Sequence, residues 1–279
     1  MKRPLRQVAS SLAALSLGLA ATPACAWGPL GHRISAELAE RNLDGKTRAE
    51  VTKILGAENL ADASTWPDDQ KSNPDPFWQK EASPWHYVTL PEGMNAADLH
   101  HPAEGDAATA LERFTATLRN PDASQQDKAR ALRFIVHIAG DLHMPLHVGN
   151  GTDRGGNDFH VLWFDEPVNL HWVWDEGLIQ KRQLSYTEYA DRLERAMTPD
   201  ETIAWWDAKP ADWMAESVAL RDRIYPATSV ELGDGTEEAP VSLSWQYAYD
   251  WTPAMEQRLE QAGIRIAAYL QWVFADQTG

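Results

Sequence analysis

Two histidines in this chain are each followed, four residues later, by an aspartate. One pair lies in His137-Ile-Ala-Gly-Asp141-Leu-His143-Met-Pro-Leu-His147, the other in His171-Trp-Val-Trp-Asp175. On a helix this spacing puts an imidazole and a carboxylate on one face. Each segment is therefore expected to be helical, with a polar pair set into otherwise apolar surroundings. Imidazole and carboxylate are zinc ligands. Pro145 should end or bend the first helix and free His147 to point elsewhere. The plainer alternatives are polar residues capping a helix end for the first segment and a helical ion pair for the second. Two such pairs in one chain favour metal binding.

The rest of the pattern is mainly helical. Helical periodicity is expected from Gly28-Pro29 to about Arg41, with Pro29 in the first turn, and over Lys46–Leu55, Asp106–Leu118 and Ser124 to about Met144. Further helices are expected at Asn169–Gln180, Ser185–Ala196, Pro199–Trp206, Pro210–Ile224 and Ser242–Ala275. Residues 61–105 contain Pro67, Pro74, Pro76, Pro84, Pro91 and Pro102 and read as irregular, a length of loop that is often functional. Gly151–Asn157 reads as a turn. Asp158–Phe164 reads as a short strand, paired through an Asp165–Asn169 turn or simply extended. The expected fold is all-α: a single mainly helical domain with at most one small β-hairpin.

The amino-terminal residues read as an export signal. Lys2, Arg3 and Arg6 precede an apolar stretch from Leu12 to Ala21, and small residues at Ala24 and Ala26 suit cleavage after Ala26. The expected organisation is a leader over 1–26 and one domain over 27–279, secreted or periplasmic, with no membrane span. A lipid anchor through Cys25 is the alternative. Cleavage would remove Cys25, the only cysteine, leaving neither disulfide nor thiolate ligand. It would also remove three of the 25 basic residues, leaving 22 against 41 acidic ones, a net charge of −19. Such a surface argues against tight, nonspecific duplex binding by charge alone, unless bound cations reverse the sign locally.

Three further features carry candidate donors. In Trp27-Gly-Pro-Leu-Gly-His32, cleavage would expose the Trp27 amino group, which with its own carbonyl can chelate a metal. His32 lies just inside the first helix. Asp68 follows Ser64-Thr-Trp66-Pro67, and His86 sits in Trp85-His86-Tyr87-Val88. Singly, each has an ordinary reading: a surface histidine, or a solvated or turn-forming aspartate. His100, His101, His143 and His160 are read as non-ligands, and the tryptophans as packing residues.

Taken in order, these motifs make the chain similar to the zinc-dependent, single-strand-preferring nucleases of fungi, plants and bacteria, the group that includes mung bean nuclease. The likeness covers essentially the whole chain after residue 26. It rests on Trp27 and His32, Trp66-Pro67-Asp68, His86 before Tyr87, the His137-x3-Asp141-x5-His147 run, Gly155-Gly156-Asn157 and His171-x3-Asp175.

The resemblance implies three Zn2+. Asp68, His86, His137 and Asp141 would hold one. The Trp27 amino and carbonyl groups, His32 and Asp141 would hold a second. His147, His171 and Asp175 would hold the third. It implies endonucleolytic hydrolysis of single-stranded DNA and RNA by metal-activated water, to 5′-phosphorylated products, with 3′-nucleotidase activity on mononucleotides as a possible addition. Asp68, Asp141 and Lys71 would be the catalytic residues. Substrate contacts would come from Lys71, Tyr87, Thr89, Arg154 and Asn157. At Thr89 fungal members carry an aspartate that bonds the base, and Arg154 lies where an apolar contact is expected. These two departures bear on base preference. Lys71 can equally be a solvated lysine and Asn157 a turn residue. No obligate protein partner is implied. Two rival functions share the donor set: a zinc phospholipase C of the same helical superfamily, and a non-catalytic periplasmic zinc-binding protein.

Overall fold

The computed structural model describes residues 27–275. The expected leader over 1–26, with its expected cleavage site, lies outside the described residues. The chain forms α1 (Pro29–Asn42), α2 (Gly45–Leu55), α3 (Leu60–Asp69), α4 (Ala107–Arg119) and α5 (Gln125–Asp141). These are followed by α6 (Leu170–Trp172), α7 (Leu178–Gln180), α8 (Tyr186–Ala196), α9 (Pro199–Trp205), α10 (Pro210–Ile224) and α11 (Trp245–Phe274). The mainly helical reading holds. No described helix is long and apolar enough to cross a membrane.

Side-chain capping starts several of these helices. Asp44, Asn59 and Ser124 each accept the backbone N–H three residues on, and Asp106 with Thr109 forms a reciprocal capping box. Pro29 opens α1, where its missing N–H costs nothing. Helix α1 packs against α3, α8 and α11, and α5 lies between α3 and α4 with α11 behind.

Three expectations are corrected. First, residues 61–105 are not irregular throughout. The helix α3 runs into this stretch despite Pro67, because its buried face of Leu60, Ala61, Ala63 and Ser64 packs on α1 and α5. Tertiary burial here outweighs an unfavourable residue. Second, strand content exceeds one hairpin. β3 (His160–Trp163) pairs antiparallel with β4 (Glu166–Asn169), so residues 166–169 are strand rather than turn. The turn itself is Phe164-Asp165, with φ of 51° and 70°, as two-residue hairpins require. β5 (Val241–Leu243) adds in parallel to β3, so the last helix begins at Trp245 and not at Ser242. Third, β1 (Val88–Thr89) and β2 (Val148–Gly149) form a short parallel ladder, a long-range pairing that carries no local signal.

The core has two parts. One surrounds Phe134, which stacks on Phe114 with centroids 4.5 Å apart and meets Trp85 edge-on at 5.5 Å. The other surrounds Trp27, Trp174, Ile34, Leu38 and Met255. Helix α5 puts Phe134 into the first part and carries His137 and Asp141 to the join. Phe134→Ala should lower unfolding free energy by about 3–5 kcal/mol, read by denaturant titration. A loss below about 1 kcal/mol would mean that this aromatic cluster does not hold α5 in place.

Candidate metal centre

Four elements converge where the two core clusters meet. α1 brings His32, α3 brings Asp68, α5 brings His137 and Asp141, and the short helical turn Ser83–His86 brings His86. Asp68 is thus on a helix, although its stretch reads as loop from sequence. His137 Nε2 lies 2.7 Å from His86 Nδ1, 3.1 Å from Asp141 Oδ2 and 3.7 Å from Asp68 Oδ1. His86 Nδ1 is 3.6 Å from both carboxylates. Tetrahedral zinc with bonds near 2.0–2.1 Å sets neighbouring ligand atoms about 3.3 Å apart, and these separations bracket that value. The other oxygen of Asp141, Oδ1, lies 3.2 Å from His32 Nε2. Asp141 therefore faces His137 with one oxygen and His32 with the other, the posture of a bridging carboxylate.

The second His-x3-Asp pair is built differently from the first. Asn169 caps α6, and the backbone widens into a π turn over Val173–Gly177 before α7. His171 Nε2 comes to 3.0 Å from Asp175 Oδ2, and His147 Nε2 to 3.9 Å from Asp175 Oδ1. His147 reaches this group because the chain turns at Pro145 after α5 ends, as Pro145 implied. Such π turns recur at functional sites.

The outer nitrogens of three imidazoles are anchored to backbone carbonyls. His137 Nδ1–H donates to Ser64 O at 2.7 Å, His171 Nδ1–H to Gly155 O at 2.7 Å, and His147 Nδ1–H to His86 O at 2.5 Å. Each bond fixes the ring and turns Nε2 inward as an acceptor, the usual support of a metal-ligating histidine. Sequence reasoning missed these carbonyl partners, since a backbone acceptor has no residue signature.

The inward atoms are buried and short of partners. His32, His137 and Asp141 are fully buried, and His86, His147, His171 and Asp175 nearly so. Both oxygens of Asp141, both ring nitrogens of His32, His147 Nε2 and Asp175 Oδ1 have no hydrogen bond. Buried polar atoms of this kind are costly unless a cation satisfies them. Burial drives His86 down to about 4, helped by Lys71, and His147 down to about 3. Asp141 is held well below the usual carboxylate range: burial opposes ionisation, but His137 and His147 outweigh it. For Asp68, His137 and Lys71 likewise overcome burial. Burial wins at Asp175, which is pushed up to about 7 despite His171. Three groups, His32/His137/Asp141, Asp68/His86/His137 and His147/His171/Asp175, each gather ligand atoms within 4.8 Å. All donors are nitrogen or oxygen, which suits zinc without thiolates. Each group could hold a divalent ion, with His137 common to two of them.

Trp27 directly precedes the residue that bonds the Asp175 backbone. Its ring is fully buried, and Gly28 N–H donates to Asp175 O at 3.1 Å. What precedes its amino group lies outside the described residues. Above the donors opens a cavity of about 600 Å³ whose wall includes Lys71, Tyr87, Thr89, Arg154, Asn157 and His171. Every side chain expected at the substrate borders this space. Lys71 Nζ sits 2.6 Å from Asp68 Oδ1. Arg154 has φ 52° and pairs with Asp158 at 2.8 Å. Asn157 donates to Arg154 O at 2.8 Å, so it also acts as a turn residue.

The four histidines read as non-ligands lie apart from these groups. His143 is buried behind the site, where it donates to Ala139 O. His101 pairs with the capping Asp106 at 2.7 Å.

The chain is similar to known nucleases along its described length. Residues 27–275 match the family model described as S1/P1 nuclease. Endonuclease 2 of Arabidopsis thaliana is 29% identical over 269 residues, covering 89% of this chain and 90% of that protein. Nuclease S1 of Aspergillus oryzae is 27% identical over 297 residues, covering 97% and 96%. Nuclease P1 of Penicillium citrinum is 28% identical over 163 residues, covering 56% and 59%.

Proposed function

This chain belongs to the S1/P1 nuclease family, and from that premise we propose that it is a trizinc endonuclease acting on single-stranded DNA and RNA. The enzyme is a hydrolase of phosphodiester bonds. The observation that carries the finer reading is the convergence of buried, unsatisfied imidazole and carboxylate atoms beneath one cavity that also exposes an aromatic ring.

We assign Asp68, His86, His137 and Asp141 to one ion, the Trp27 amino and carbonyl groups with His32 and Asp141 to a second, and His147, His171 and Asp175 to the third. The last set has only three protein ligands, and open positions are the mark of a catalytic ion. Zinc supplies Lewis acidity at the phosphate and lowers the pKa of water. The chain's residues do the rest. Asp68 and Asp141 stay ionised and orient the attacking water by accepting its hydrogen bond. Lys71 Nζ, at the cavity wall beside Asp68, offers a cation to a phosphate oxygen. Tyr87, 47% exposed, offers a ring on which a base stacks, a contact worth about 1–3 kcal/mol that every base can make. A base must be unpaired to use it. Thr89, Arg154 and Asn157 line the same space and set base contacts. No side-chain nucleophile is required.

Secretion follows from the same proposal. A Trp27 that ligates through its amino group must be the first residue, so the leader is removed. The test compares chains beginning at Trp27 and at Met1, with zinc counted in each. Single-stranded DNA, RNA, duplex DNA, 3′-mononucleotides and phosphatidylcholine are the substrates. The shorter chain should carry three zinc ions and cut single strands in preference to duplex. Lipid hydrolysis without nucleic-acid cleavage would establish the phospholipase instead. A fully loaded chain inert toward every substrate would establish the zinc-binding protein.

Acid should strip the ions, because a proton competes with metal at each imidazole and carboxylate donor. Metal analysis after dialysis should therefore find fewer equivalents in mild acid than at neutral pH. Full retention in acid would contradict a centre built from these donors.

A further inference from the structure

Beyond Tyr87 lies a second cavity of about 480 Å³, walled by Pro84, Pro91, Met94, Leu99 and Glu104, with Asp106 at its edge. Tyr87 and Thr89 border both this cavity and the larger one above the metal donors. The donor groups lie under the first cavity alone.

The backbone that carries the shared ring is held on both sides. Tyr87 O accepts Ala107 N–H at 3.0 Å, which ties it to the start of α4. The next two residues pair with Val148 and Gly149, and Leu90 N–H donates to Gly149 O at 2.9 Å. A half-exposed aromatic ring thus projects from a fixed strand between two adjoining spaces.

The chemistry of the second wall selects its occupant. It is largely apolar, His100 is its one imidazole, and its carboxylates are Glu104 and Asp106. The Asp106 carboxylate is engaged by Thr109 N–H and by His101, which leaves Glu104 as the carboxylate facing a guest. Such a wall offers apolar surface and a hydrogen-bond acceptor. It suits the flat apolar face of a base, whose ring and amino N–H groups a carboxylate accepts.

We propose that this second cavity is a subsite for the base and sugar of the nucleotide next to the one held over the metal donors, on the side away from the bond that is cut, so that Tyr87 stands between two consecutive bases. The inference rests on the nuclease reading. A ring inserted between neighbouring bases requires both to be unstacked from each other and unpaired. Selection against duplex then comes from Tyr87 acting on two nucleotides at once, without any reading of a groove.

The experiment measures kcat/KM for the zinc-loaded protein on a dinucleotide, on trinucleotides extended at the 5′ or the 3′ end, and on the same trinucleotides with an abasic site at the added position. One of the two extensions should raise kcat/KM by roughly tenfold or more, the size of one base–aromatic stack. The abasic version should lose that gain, although it carries the same phosphates. Met94→Ala, which trims the wall of the second cavity at a residue 38% exposed, should lower the trinucleotide-to-dinucleotide ratio severalfold. A ratio near one for both extensions, an abasic substrate that keeps the full gain, or a Met94→Ala ratio equal to wild type would each overturn the subsite and leave the nuclease standing. Failure to cleave any of these substrates would overturn the nuclease reading, and the subsite with it.

Discussion

Asp141→Asn should lower nuclease turnover by three powers of ten or more while the protein remains helical. The substitution keeps the shape of the side chain and removes its charge. Asp141 faces His137 with one oxygen at 3.1 Å and His32 with the other at 3.2 Å, and the rings of His32 and His137 stack with centroids 4.0 Å apart. Without the shared carboxylate, two proposed ions lose an anionic ligand together. Each ion contributes several kcal/mol of transition-state charge stabilisation, and about 1.4 kcal/mol is a factor of ten. Metal analysis should show two of three equivalents lost or weakly held, with far-ultraviolet circular dichroism close to wild type. Near-normal turnover with three retained ions would refute the bridging role of Asp141.

The second large effect lies in the backbone. Gly155 has φ +64°, and a Cβ there would stand 2.2 Å from Leu146 O, a backbone atom. Its neighbours Arg154 and Gly156 are also left-handed, at 52° and 78°, so three successive residues turn the chain under the cavity. The loop has little room to yield. Asp153 accepts Gly156 N–H at 3.0 Å and Tyr225 O–H at 2.6 Å, and Gly155 O holds His171 Nδ1–H. Gly155→Ala should therefore cost about 2–4 kcal/mol of stability. It should also lower metal affinity or activity about 10–100-fold through misplacement of His171. Gly93 supplies the control. It has φ +75° with open space around its Cβ position, so Gly93→Ala should cost only the left-handed strain, about 1–2 kcal/mol, and leave metal content unchanged. Equal effects at the two glycines would show that strain, and not the clash beneath His171, is what matters.

How much of the site was legible depends on how locally each part is encoded. His137/Asp141 and His171/Asp175 could be read because helical spacing alone aligns the side chains. Pro145 also marked where His147 leaves the helix. The helix holding Asp68 could not be read, because its propensity is poor and its stability comes from α1 and α5 packing against it. The π turn over Val173–Gly177 left the spacing of the second pair intact, so a plain helix was a sufficient expectation there. The third strand and the β1–β2 ladder were illegible for a related reason. Val88 finds Val148, and Val161 finds Val241, only once the helices have folded between them.

By itself the sequence determined the donor types, the helical faces that present them and the mainly α class. Tertiary structure alone decided that His32, Asp68, His86 and His137 meet around one carboxylate, that three carbonyls lock the imidazole rings, and that one tyrosine divides two cavities. The physical reason is reach. Side-chain chemistry and helical period act over a few residues, whereas a metal cage and a substrate cavity are made by surfaces whose parts lie far apart along the chain and are held together by burial.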